Sequence, residues 1–135
     1  MLDLDLIRKR VREKLAEQRS VVRTLLAQRE QLQASLFVRY GECGKESCAC
    51  RTGQRHGPYF VLSARGAAGS AFAYLDGDHV EKARQLVTRY QDFRRGFRRL
   101  KKLNDELVTL LQRYQHVTAR AGGRRIGLPV QKTAI

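Results

Sequence analysis

No glycine or proline precedes Gly41, and across that stretch the apolar residues form a repeating stripe. Leu4, Ile7, Val11, Leu15, Val22, Leu25, Leu32 and Leu36 follow a 3/4 spacing, interrupted by the polar Gln18 and Arg29. A stripe of that period without a helix breaker predicts one long helix over residues 3–36. Asp3 and Asp5 suit the positive end of its dipole. The stripe is narrow, as in a coiled-coil seam.

A second helix is expected over residues 78–115. Ala83, Leu86, Tyr90, Phe93, Phe97, Leu100, Leu107, Leu111 and Tyr114 keep a heptad, broken at Asn104. Asp78 followed by Glu81 has the form of a capping box, with Asp in place of Ser or Thr. A lone Asn in a seam either fixes register or sits exposed where packing is loose, and both readings of Asn104 stand.

Between these segments lie two short runs, YFVLS (Tyr59–Ser63) and AFAYL (Ala71–Leu75), separated by ARGAAG. Aromatic enrichment around a glycine turn predicts a β-hairpin over 58–76. An insert carrying glycine and proline cannot continue a helix, so the two helices should fold back on each other. The expected fold class is mainly α: a long antiparallel, coiled-coil-like helical hairpin with a zinc loop (41–57) and the small β-hairpin inserted at its tip. Residues 1–118 would form a single domain and 119–135 a flexible basic tail. A pairing centred on the insert sets the run Arg94–Lys102 opposite residues 12–20.

All three cysteines of the chain lie in CGKESCACRTGQRHGPY, residues 43–59. Cys43, Cys48, Cys50 and His56 follow the order C-x4-C-x-C-x5-H, a complete soft-to-borderline shell for tetrahedral zinc. Lys45, Arg51 and Arg55 would offset the charge of three thiolates and help keep them deprotonated. A closed four-ligand site leaves no open position for a catalytic water. His79 is the other candidate for the fourth ligand; His56 is favoured by its nearness and by the Gly57-Pro58 turn signal that follows it. A redox switch through Cys48-Ala49-Cys50 is the competing chemistry, without the C-x-x-C spacing of thioredoxin-like sites.

The segment RYGECGKESCACRTGQRHGPYFVLS, Arg39 to Ser63, resembles the core signature of an uncharacterised prokaryotic family of small proteins. In that family an RY…CGK..C.C..G..HGPY…LS segment sits between two helical arms, and members are often found near transposases and other mobile elements. Tyr40, Cys43, Gly44, Lys45, Cys48, Cys50, Gly53, His56, Gly57, Pro58 and Tyr59 fit the signature. Glu46 stands where the family commonly has proline, and the ARGAAGS turn lacks a lysine found in relatives. The resemblance implies a metal loop between helical arms and hints at DNA; it carries no established activity.

Charge narrows the partner. Lys and Arg number 27 against 13 Asp and Glu, a formal net charge of +14, with a pI near 10.6. Such an excess attracts polyanions, nucleic acid first. The densest run is RRGFRRLKK, where Arg94, Arg95, Arg98, Arg99, Lys101 and Lys102 are the candidate phosphate contacts, joined by Arg8, Lys9 and Arg12 near the start of the first helix. A merely solvated face is the competing reading of that run. No acid–base pair, activated nucleophile or phosphate-cradling glycine loop is present, so no catalytic residues and no enzyme are expected.

The function expected is a zinc-stabilised accessory protein that binds nucleic acid, DNA ahead of RNA, in the setting of transposition or another mobile element. The alternative is a coiled-coil adaptor whose basic face meets an acidic partner, with homo-oligomers forming through the helix seams. An odd number of cysteines, no signal-peptide order and no apolar run of the ~20 residues a membrane helix needs point to a cytoplasmic protein without a membrane partner.

Overall fold

The computed structural model describes residues 3–66 and 68–128. Helix α1 (Leu4–Ala27) is followed by strand β1 (Ser35–Gly41), a short 3-10 turn (Ala49–Arg51), strands β2 (His56–Gly66) and β3 (Gly69–Leu75), and helix α2 (Gly77–Arg125). The strands form one antiparallel sheet in the order β1-β2-β3. The expectation of a mainly α hairpin with a small β-hairpin at its tip is therefore wrong: the described residues form two helices and a three-stranded meander.

The error begins where α1 ends. Leu32 and Leu36 continue the 3/4 stripe, but α1 stops at Ala27. Ser35–Gly41, SLFVRYG, is strand instead. Its Leu, Phe, Val and Tyr suit a pleated surface, and β2 supplies the partners: Leu36 opposes Leu62, Phe37 opposes Val61, and Val38 opposes Phe60. Strand preference is decided by such cross-strand packing, which outweighs a weak local helix signal.

The chain divides into two compact units. One is built from α1 and α2 from Arg95 onward; the other is Gln28–Arg94. In the first, the two helices meet antiparallel over Ile7, Leu25, Leu103, Leu107 and Leu110, all buried. Gly96 allows a close approach, since a Cβ there would lie 2.6 Å from Leu25 Cδ2. One flank of this pair is ionic: Lys14 Nζ sits 2.7 Å from Glu106 Oε2, and Arg99 pairs with Glu17. The other carries Gln18 bonded to Asn104 and Arg8 bonded to Tyr114.

The apolar seam of α2 is also rotated from the expected one. Val80, Ala83, Val87, Leu103, Leu107 and Leu110 are buried, whereas Phe97 and Leu111 are 49% and 53% exposed. A straight helix with 3.6 residues per turn drifts away from a strict 3.5 repeat, so the heptad positions 97, 104 and 111 turn out beside the interface. The expected capping box is displaced as well: Asp76, just before α2, pairs through its carboxylate with His79.

α2 runs through residues 119–125, which had been expected as tail. It closes where Leu128 N–H donates to Gly123 O at 3.0 Å and Gly127 N–H to Arg124 O at 3.2 Å. With Gly127 at φ 74 this is a Schellman cap. The remainder of the expected tail, from residue 129, lies outside the described residues.

In the second unit Val61 of the central strand and Cys50 of the loop are buried, as are Val80, Ala83 and Val87 of α2. The connector before β1 is tied to α2 by Leu32 N–H donating to Leu86 O at 3.0 Å. Arg89 Nη1 also donates to Glu30 O at 3.2 Å.

Candidate metal centre

The loop between β1 and β2 holds every cysteine, and sheet pairing brings its two ends together. Gly41, last in β1, opposes His56, first in β2, after a bulge between Arg39 and Gly41. Bulges bend a strand and re-aim the side chains next to them. Gly57 lets the strands close: its φ is +137°, and a Cβ there would meet Tyr40 Cδ1 at 2.8 Å and Arg39 O at 2.9 Å. Gly57-Pro58 is thus the start of β2, joined by a cis peptide, and not the turn expected.

Within the loop, local turns set the cysteines. Cys48 N–H donates to Lys45 O at 3.2 Å, and Thr52 N–H to Ala49 O at 3.1 Å. Cys48 precedes the 3-10 turn that carries Cys50. The ligand atoms of Cys43, Cys48, Cys50 and His56 consequently all lie within 4.8 Å of one another. Cys43 Sγ is 3.5 Å from Cys50 Sγ, and Cys48 Sγ is 3.2 Å from His56 Nε2. A tetrahedral ion with bonds of about 2.3 Å to sulfur and about 2.0 Å to nitrogen would hold such atoms roughly 3.5–3.8 Å apart. The donor set and its spacing are compatible with a metal site. His56 joins this cluster, whereas His79 is engaged with Asp76.

The electrostatics suit thiolate ligands. The Cys50 backbone hydrogen bond, then contacts with the Cys43, Cys50 and His56 side chains, bring the Cys48 thiol down to about 7. Cys50 also accepts a hydrogen bond from Cys43 N–H, at 3.3 Å. Against that bond, burial and the neighbouring thiols push Cys50 upward. A cation among the sulfurs would act against that upward push. All three cysteines are free of disulfides.

Against this cluster lies a recess that sequence reasoning missed, lined by Arg39, Tyr59 and Tyr74 together with Cys43 and His56. Arg39 Nη1 donates to Tyr74 Oη at 2.8 Å. Arg39 and Tyr59 are cross-strand partners, a relation visible only once β1 is known to be a strand.

The basic candidates divide. Arg8 Nη1 donates to Asp5 at 3.0 Å and Nη2 to Tyr114 Oη at 3.1 Å, and its guanidinium lies 5.6 Å from the Tyr114 ring centre. Arg99 pairs with Glu17. Lys102 lies near enough to Glu106 to help hold its carboxyl below the usual range, after the larger effect of Lys14. Like these three, Lys9, Arg12, Arg94, Arg95, Arg98 and Lys101 are exposed, and Arg95 is not without a partner.

Residues 5–85 match the family model described as a domain of unknown function, DUF6788. The chain belongs to that family. The matched segment takes in α1 almost whole, the entire sheet and all the candidate ligands, while the run Arg94–Lys102 lies beyond it. No curated protein and no solved structure matches the chain. Among the described residues no helix is long and apolar enough to cross a membrane.

Proposed function

We propose that this member of the DUF6788 family is a zinc-stabilised nucleic-acid-binding protein, an accessory factor and not an enzyme. Zinc is the metal best suited to three thiolates and an imidazole, and a closed shell of four protein ligands is structural. Cys43, Cys48, Cys50 and His56 would hold it and so clamp the β1–β2 loop.

The observation that carries the nucleic-acid reading is a row on α2. Arg94, Arg98 and Lys101 recur at i, i+4 and i+7, are exposed, and make no ion pair with a described residue. That row belongs to a chain of net charge +14. Exposed cations of this kind can release counterions from phosphates, and three in succession before the next acid on that face, Asp105, differ from the evenly mixed charges of an ordinary solvated helix face. Such contacts position a protein on duplex DNA without reading its sequence. The mobile-element setting and prokaryotic origin rest on the resemblance of the Arg39–Ser63 segment.

The test is duplex binding by fluorescence anisotropy across a salt series. Log affinity should fall linearly with log salt, and Arg94→Gln/Arg98→Gln/Lys101→Gln should reduce the slope by about 0.9 per lost contact, alike for all sequences. An unchanged slope in the variant would overturn the assignment.

A further inference from the structure

The central strand decides which side chains share a surface. Phe37 opposes Val61, which opposes Tyr74; Arg39 opposes Tyr59; Ser63 opposes Phe72. Directly opposed residues project to the same side of a sheet. One face therefore gathers Phe37, Arg39, Tyr59, Phe72 and Tyr74. The other carries Leu36, Phe60, Leu62 and Leu75, all partly buried.

The aromatic rings of the first face are open to solvent. Phe72 is 65% exposed, Tyr74 61%, Tyr59 44% and Phe37 39%, while Val61 among them is 2% exposed. Aromatic side chains dominate cores when they can, and a contiguous exposed group of them marks a binding surface. Two of the rings also hold each other. Tyr59 and Tyr74 meet edge to face, with centroids 6.3 Å apart and planes at 86°. Arg39 is held beside them by its 2.8 Å bond to Tyr74. Arg65, two residues beyond Ser63 on the same side of β2, adds a second exposed cation.

We propose that this face is a base-stacking platform for single-stranded nucleic acid. Flat apolar rings beside guanidinium groups suit a ligand with flat faces and negative charge, and an unpaired strand has both. A duplex does not, because its bases are already stacked on each other. The net charge of +14 favours the same polyanion over an apolar protein surface. At the end of the face, Arg39, Tyr59 and Tyr74 share their recess with Cys43 and His56. The candidate metal loop thus borders the platform at that end. The proposal does not use the Arg94, Arg98 and Lys101 row, and it predicts discrimination that a phosphate contact cannot supply.

The test uses the full chain and two labelled probes: an oligothymidylate of about 16 nucleotides and an abasic strand of equal length, which keeps the phosphates and lacks the bases. The intact protein should bind the oligothymidylate roughly tenfold or more tightly than the abasic strand, since each stacked base contributes about fivefold or more. Its tyrosine fluorescence should be quenched on binding. Phe72→Ala/Tyr74→Ala should erase the preference, and Phe72→Tyr should retain it. Should the double variant unfold, Phe72→Leu alone, with the ring gone and the apolar bulk kept, must show the loss. Equal affinity for the two strands with a steep salt slope would overturn the platform and leave the phosphate reading standing. Binding to neither strand would overturn the platform as well.

Discussion

Gln18 Nε2 donates to Asn104 Oδ1, joining the polar residue that interrupts the apolar repeat of α1 to the one that interrupts α2. Each had stood alone in the sequence; across the helical pair they are partners. An exposed neutral bond of this kind contributes about 0.5–1.5 kcal/mol. Gln18→Ala and Asn104→Ala should each cost about that in urea unfolding, and the double variant should cost little more than either single one. Strictly additive losses would show that the pair is not coupled.

The close approach of the helices at Gly96 makes a second test. Replacing a helical glycine by alanine ordinarily gains about 1 kcal/mol of helix stability. Here the new Cβ would fall 2.6 Å from Leu25 Cδ2, a methyl of a buried side chain. Gly96→Ala should therefore gain less than that or lose stability through overpacking, and the shortfall should vanish in a Leu25→Ala background. A full gain in the unmodified background would mean that the contact yields freely.

Gly57→Ala should damage the metal loop without touching a ligand. Its φ of +137° is a region L-residues rarely adopt, and the added Cβ would meet the Arg39 carbonyl at 2.9 Å. A cost of about 1–3 kcal/mol is expected, with weaker metal retention under chelator competition, because Gly57 lies beside His56 and closes β2 onto β1. Retention equal to the native chain would separate strand closure from the site.

The Asp76–His79 pair predicts a pH window. The hydrogen bond that His79 Nδ1–H donates to the Asp76 carboxylate raises the His79 pKa above its ordinary 6.5, and the same bond holds Asp76 below its ordinary 3.8. The His79 contribution is complete below 6.5 and is lost as pH rises through its raised value. The Asp76 contribution is complete above 3.8 and is lost as pH falls through its lowered value. Asp76→Asn should return His79 towards its ordinary titration by NMR and abolish the stability difference between mildly acidic and alkaline pH that this pair causes. A His79 midpoint unchanged by Asp76→Asn would contradict the pairing.

What could be read from the sequence was what is local. Cys43, Cys48, Cys50 and His56 are few, chemically specific and close along the chain, so their convergence was foreseeable. Tyr59–Ser63 and Ala71–Leu75 announced β2 and β3 through aromatic runs around a glycine turn. β1 was hidden because its partners lie a whole loop away in sequence, while Leu32 and Leu36 prolonged a helical spacing that the backbone abandons at Ala27. The aromatic face of the sheet was hidden with it, since Phe37 and Arg39 fall between the expected helix, 3–36, and the expected loop, 41–57. The end of α2 was misplaced for a different reason. The heptad ends at Tyr114, but the helix continues through Gly122 and Gly123, and the left-handed residue that stops it is Gly127.

The most direct measurement of the central claim is the metal content of the full chain purified without added metal, by elemental mass spectrometry. One zinc per chain is expected, with Cys43, Cys48 and Cys50 unreactive to thiol reagents until a chelator is added. Cys48→Ser should lose most of that zinc and loosen the loop and sheet while leaving α1 and most of α2 helical by circular dichroism. Zinc at a small fraction of one equivalent, with all three thiols titrating at once in the untreated protein, would contradict the account.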